Sequence, residues 1–138
     1  MKIDLKIIGL LFVLLVFSLL SCSKARYQQV IQGSIKIDYP KSIEKDSEFV
    51  ARMYSLSPER KIVNALVDCQ DLTQIDPLTF KVNDCNKELL ILGDTVFLAF
   101  QVKESGEFVF GNINVITTDL QNENIQIEDI VIDYRVEN

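Results

Sequence analysis

Histidine and tryptophan are both absent from the 138 residues. Without histidine the chain lacks the commonest general base, the Ser-His and Cys-His nucleophile pairs and the commonest transition-metal ligand. Glycine is scarce, at five residues, and no Gly-x-Ser-x-Gly, phosphate loop or Gly-rich dinucleotide turn occurs. No Cys-x-x-Cys spacing exists, which together with the missing histidines argues against a zinc site. Positive charge is also in short supply: 14 Lys+Arg stand against 20 Asp+Glu, for a net charge of −6. Phosphate binding needs a basic face, so no nucleic-acid partner is expected. Eight Phe, four Tyr and no Trp leave little sugar-stacking surface for a glycosidase built on paired carboxylates. The expectation is a chain that is not an enzyme, with no catalytic residues, no cofactor and no metal.

What the chain does have begins at its first residues. Ile7 to Leu20 is apolar except for Gly9 and Ser18. As a helix this stretch would span about 21 Å, short of the roughly 30 Å hydrocarbon core. Lys2 and Lys6 precede it, offset by Asp4, and small residues follow. That order describes a secretory signal peptide over residues 1–21. The stretch ends Leu19-Leu20-Ser21-Cys22, which resembles the lipobox of bacterial lipoproteins. The resemblance implies cleavage between Ser21 and Cys22, a diacylglyceryl group on the Cys22 thiol, and usually acylation of the freed amine as well. Residues 22–29 would then form a lipidated tether and 30–138 one exported domain. The implied location is a bacterial cell membrane, on the exported side, with the membrane as partner through the lipid anchor. Ser23, in place of an Asp after the cysteine, points by the same resemblance to the outer membrane.

Beyond the tether, apolar residues alternate with polar ones. Ile35, Ile37 and Tyr39 form one face up to Pro40, and Phe49, Ala51 and Met53 form another. Further period-two runs occupy 78–83, 88–92, 95–103, 107–117 and 125–136, with turn formers such as Gly93-Asp94 and Glu104-Ser105-Gly106 between them. Short alternating segments rich in Val, Ile, Phe and Thr predict a mainly β domain, a single antiparallel sandwich resembling the immunoglobulin type in broad architecture. The runs 95–103 and 107–117 are expected to pair as a hairpin, with Phe97, Phe100, Phe108 and Phe110 in its core. Residues 58–69 read as strand by their β-branched content, although Ser57-Pro58 and the spacing of Ile62, Val63, Leu66 and Val67 also suit a helix. The apolar phase slips between Ile127 and Ile130, for which a bulge at Glu128-Asp129 is expected.

With Cys22 assigned to lipid, Cys69 and Cys85 remain as an even pair in an exported chain. A disulfide is expected between them, two buried thiols being the alternative. Asp68, Asp71, Asp76 and Asp84 gather in or beside the same loop. They lack the spacing of a calcium-binding EF-hand loop, and a solvated acidic loop is the simpler expectation. The functional expectation is a lipid-anchored envelope lipoprotein whose non-catalytic β-domain binds an envelope protein or serves as an accessory module. The alternatives are a surface adhesin or ligand-binding module, or a small inhibitor or immunity lipoprotein.

Overall fold

The computed structural model describes residues 26–138. Its strands are β1 (Arg26–Gln32), β2 (Ile35–Glu44), β3 (Glu48–Ser55), β4 (Arg60–Cys69), β5 (Cys85–Glu88), β6 (Leu90–Leu92), β7 (Thr95–Gln101), β8 (Gly106–Asp119) and β9 (Ile125–Glu137). A single 3-10 turn at Leu72–Gln74 is the only helical element among the described residues. From Arg60 onward the 58–69 segment therefore resolves as strand β4, its backbone paired with β8 on one edge and β5 on the other. Its helix-like spacing has a local cause. The register against β8 shifts between Ile62 and Asn64, so Val63 is an extra residue and the apolar parity breaks there.

The mainly β expectation holds, but the two-sheet sandwich does not. All the strands join one sheet in the order β5-β4-β8-β9-β2-β3-β7-β6, with β1 added to β2. The two ends of that order, β5 and β6, are consecutive pieces of one segment, separated only by Leu89. The Leu89 N–H donates to the Ala65 carbonyl of β4 at 2.8 Å, while β6 pairs with β7. The sheet thus bends round into a nearly closed, barrel-like wall, which leaves few strand edges open. Elsewhere in the ring β2 changes neighbours along its length. It pairs with β1 up to Ser42 and then runs parallel to β9 over Ser42 to Glu44. The change comes just after Pro40, which has no N–H to offer, and the β1 register shifts there, between Arg26 and Tyr27.

The interior holds the residues that alternation singled out: Ile35, Ile37, Tyr39, Phe49, Ala51 and Met53 are all essentially inaccessible. They are joined by Val96 and Leu98 from β7, Ile113 and Val115 from β8, and Ile130 and Ile132 from β9. A second, smaller cluster is made by Leu66, Val82 and Ile116, with Val63, Leu72, Ile75, Ile125 and both cysteines packed around it. The loop 70–84 supplies much of it. Asn64 ties that loop down: its Nδ2 donates to the Phe80 carbonyl at 2.8 Å, and its Oδ1 accepts from Ala65 N–H at 2.9 Å.

Four local expectations are corrected by this arrangement. Residues 78–83 form no strand but part of the loop over the second cluster, where Leu78 is 88% exposed and only Val82 is buried. The bulge near the end of the chain lies not at Glu128-Asp129 but in the partner strand, where Gly111 and Asn112 together oppose Val131. β9 itself runs straight from Ile125 to Ile130; its apolar phase changes because Ile125 packs on the second cluster and Ile130 on the main core. β1 begins at Arg26, so residues 26–29 of the expected tether are strand. Finally, β7 and β8 are not a hairpin: β7 pairs with β3 and β6, and β8 with β4 and β9.

Candidate functional site: the aromatic end of the barrel

Because β7 and β8 lie on different parts of the wall, their inward aromatics meet across the interior. Phe100 stacks on Phe110 with centroids 5.5 Å apart. Phe49 sits at the centre, 4.9 Å from Phe100, 4.6 Å from Tyr134 and 6.4 Å from Tyr39. Phe108 stacks on Tyr134 at 5.5 Å and ends the chain of rings. Phe97, grouped with these by sequence, has the opposite strand parity from Phe100 and does not join them. Tyr134 shares the strand parity of Ile130, Ile132 and Val136, which places it on the same inward face.

The rings grade from buried to half-buried, and the half-buried pair Phe108–Tyr134 borders two hollows. One, of about 240 Å³, is completed by Phe100, Val102 and Lys103 among others. The other, of about 610 Å³, runs past Val109 between charged side chains of both signs, with Arg26, Lys41 and Arg135 against Glu107, Asp133 and Glu137. Arg135 donates to the Glu107 carboxylate across the β8–β9 pairing. Such a wall offers apolar contact area with a charged rim. Behind it, the Tyr39 hydroxyl donates to Asp133 Oδ1 at 3.0 Å. Burial, followed by the bond to Asp133 and its negative charge, pushes the Tyr39 phenol up to about 12. Burial alone raises Tyr134. Both phenols are therefore neutral hydrogen-bond donors at ordinary pH.

The residues expected to carry function fall elsewhere. Ser21 and Cys22, the expected cleavage and lipid-attachment residues, lie outside the described residues. Cys69 and Cys85 stand directly opposite each other on β4 and β5 and are disulfide-bonded. Asp71 accepts from Thr73 Oγ1 at 2.5 Å and Thr73 N–H at 2.9 Å, which holds its carboxyl below the usual range. The N–H groups of Leu78 and Thr79, at 2.8 and 3.2 Å, do the same for Asp76. These two carboxylates thus fold their own loop, while Asp68 and Asp84 flank a groove beside the disulfide. Among the described residues no three His, Cys, Asp or Glu side chains are grouped to hold a metal ion.

Fold and site together define a barrel-like β domain with an aromatic cluster reaching one end. No protein-family model and no curated protein matches the sequence. Among solved structures, the chain is similar to the superoxide reductase (neelaredoxin) from Ignicoccus hospitalis. The two share 14% identity over 77% of this chain and 82% of that one, with a TM-score of 0.41. That similar structure is by name an enzyme, whereas the expectation for this chain is a non-catalytic role. At this identity and TM-score the likeness assigns no activity, substrate or cofactor to the present chain.

Proposed function

We propose that this chain is an exported domain held by lipid on Cys22 at the surface of a bacterial membrane. The observation that supports it is the Cys69–Cys85 disulfide. Such bonds persist in oxidising compartments outside the cytosol, which is where a signal peptide over residues 1–21 would send the chain. Two or three acyl chains, at about 0.8 kcal/mol per buried methylene, hold a protein stably where one does so only reversibly. β1 starts at Arg26, and extended backbone from Cys22 to that residue reaches at most about 14 Å. Arg26 is the register partner of Ser42, which in turn pairs with Arg135. An anchor on Cys22 would thus enter beside the larger hollow, with the cationic groups on its rim near anionic headgroups.

Metabolic labelling with a palmitate analogue tests this. Full-length protein should take up label and enter the detergent phase, with a mature N-terminus at Cys22. Cys22→Ala should lose both label and detergent partition. Label retained by Cys22→Ala, or a mature chain that still begins at Met1, overturns the proposal.

A further inference from the structure

The segment that closes the barrel is held unlike any other stave of the wall. Of residues 85–92 only Leu89 is buried, at 7% exposed, while Leu90 and Leu92 stand more than half in solvent. Its first half is fixed to β4 by the Leu66–Glu88 and Val67–Lys87 pairs, the Leu89 N–H bond to Ala65, and the disulfide. Its second half belongs to β7 through a tight turn at Gly93, whose φ of 61° suits glycine. With so little apolar surface covered, the contact between this segment and β4 has few non-covalent interactions to resist local opening. The disulfide sits at the end of that contact where the loop 70–84 returns to the sheet.

We propose that Cys69–Cys85 is a redox latch: its reduction by a dithiol releases residues 85–89 from β4 and opens the barrel along that one seam. A thiolate of the dithiol attacks one cysteine sulfur and forms a mixed disulfide. The second thiol then closes the reductant's own disulfide, and two electrons and two protons end on Cys69 and Cys85 as thiols. Opening uncovers the interior between β4 and β7, where Ala65, Val67, Val96 and Leu98 face inward. β6 stays with β7, and the rest of the sheet persists.

Native-state hydrogen exchange on the full chain, oxidised and after reduction by dithiothreitol, tests the latch. The Leu89 N–H, bonded to Ala65, and the Gln70 N–H, bonded to Asp84, report on the seam. Their exchange should accelerate on the order of 100-fold on reduction, the loop-closure effect of a cross-link spanning 16 residues. The β8–β9 amides should keep their protection. The Cys69→Ser/Cys85→Ser variant without reductant should match the reduced wild type. Equal exchange at Leu89 and Gln70 in the two redox states overturns the latch, as does protection lost throughout the sheet on reduction.

Discussion

Replacing Tyr39 by Phe should reduce the alkaline sensitivity of this fold while costing little at neutral pH. Tyr39 is 1% exposed, and its hydroxyl donates to Asp133 across the β2–β9 seam. Its pKa is raised from 10.0 to about 12, chiefly by burial and then by the Asp133 bond and charge. The native state thus binds this proton more tightly than the unfolded chain. The resulting stability is fully present below pH 10 and is lost as pH rises towards 12. At 1.36 kcal/mol per pKa unit the loss amounts to about 3 kcal/mol. Tyr39→Phe cannot ionise there and gives up only the hydrogen bond, worth about 1 kcal/mol, since Asp133 remains open to water. The variant should therefore be the less stable protein at pH 8 and the more stable one at pH 12, the two crossing between pH 10 and 12 by the same linkage relation. Urea unfolding followed by circular dichroism at steps between pH 8 and 12 measures this. Tyr134, also raised by burial, is present in both proteins and cancels in the difference. A difference that stays flat over that range would refute a buried, proton-retaining phenol at position 39.

Three further perturbations test other parts of the architecture. At Gly33 the backbone has φ +57° and an added Cβ would fall 2.1 Å from Glu128 Oε2; Glu128 in turn accepts from Ser34 N–H and Oγ. Gly33→Ala should cost about 2 kcal/mol in chemical denaturation, from the left-handed backbone and the displaced carboxylate together, and an unchanged midpoint would contradict it. Leu66→Ala removes the fully buried centre of the second cluster and should cost about 2–5 kcal/mol; a loss below 1 kcal/mol would mean that the loop 70–84 packs only loosely on the sheet. At the acid end, Asp71, Asp76 and Asp119 all have lowered pKa values, the last through bonds from Glu123 N–H and Asn124 Nδ2. Their contribution is present above the unfolded carboxyl range and disappears as pH falls through it towards the folded values. Asp119→Asn should accordingly flatten the thermal-stability profile below pH 4, and a variant whose acid profile overlays the wild type would exclude this role.

Much of the strand content was legible because alternation is a local property. Ile35, Ile37 and Tyr39, and likewise Phe49, Ala51 and Met53, could be assigned to one inward face by parity alone, and each is buried. The turn at Gly93 was equally readable, since a left-handed backbone selects glycine whatever lies around it. Residues 78–83 failed the same test because their apolar side chains serve a loop draped over a second cluster, and a short run carries no mark of which surface it covers. The candidate site was half legible. Phe100, Phe108 and Phe110 stood out as a group, whereas Tyr134 lies far along the chain, and only the fold brings it to Phe108.

The order of residues by itself determined where most of the strands run, which side chains of β2 and β3 turn inward, and that Cys69 and Cys85 form an even pair. It left open which strand lies beside which. The run 107–117 follows 95–103 after a short polar turn, yet its backbone partners are β4 and β9. Backbone hydrogen bonding is indifferent to side-chain identity, so pairing is settled by which closure of the sheet buries the most apolar surface around one core. That global condition, absent from any window of the sequence, bent a single sheet into a barrel and joined its two ends through Leu89.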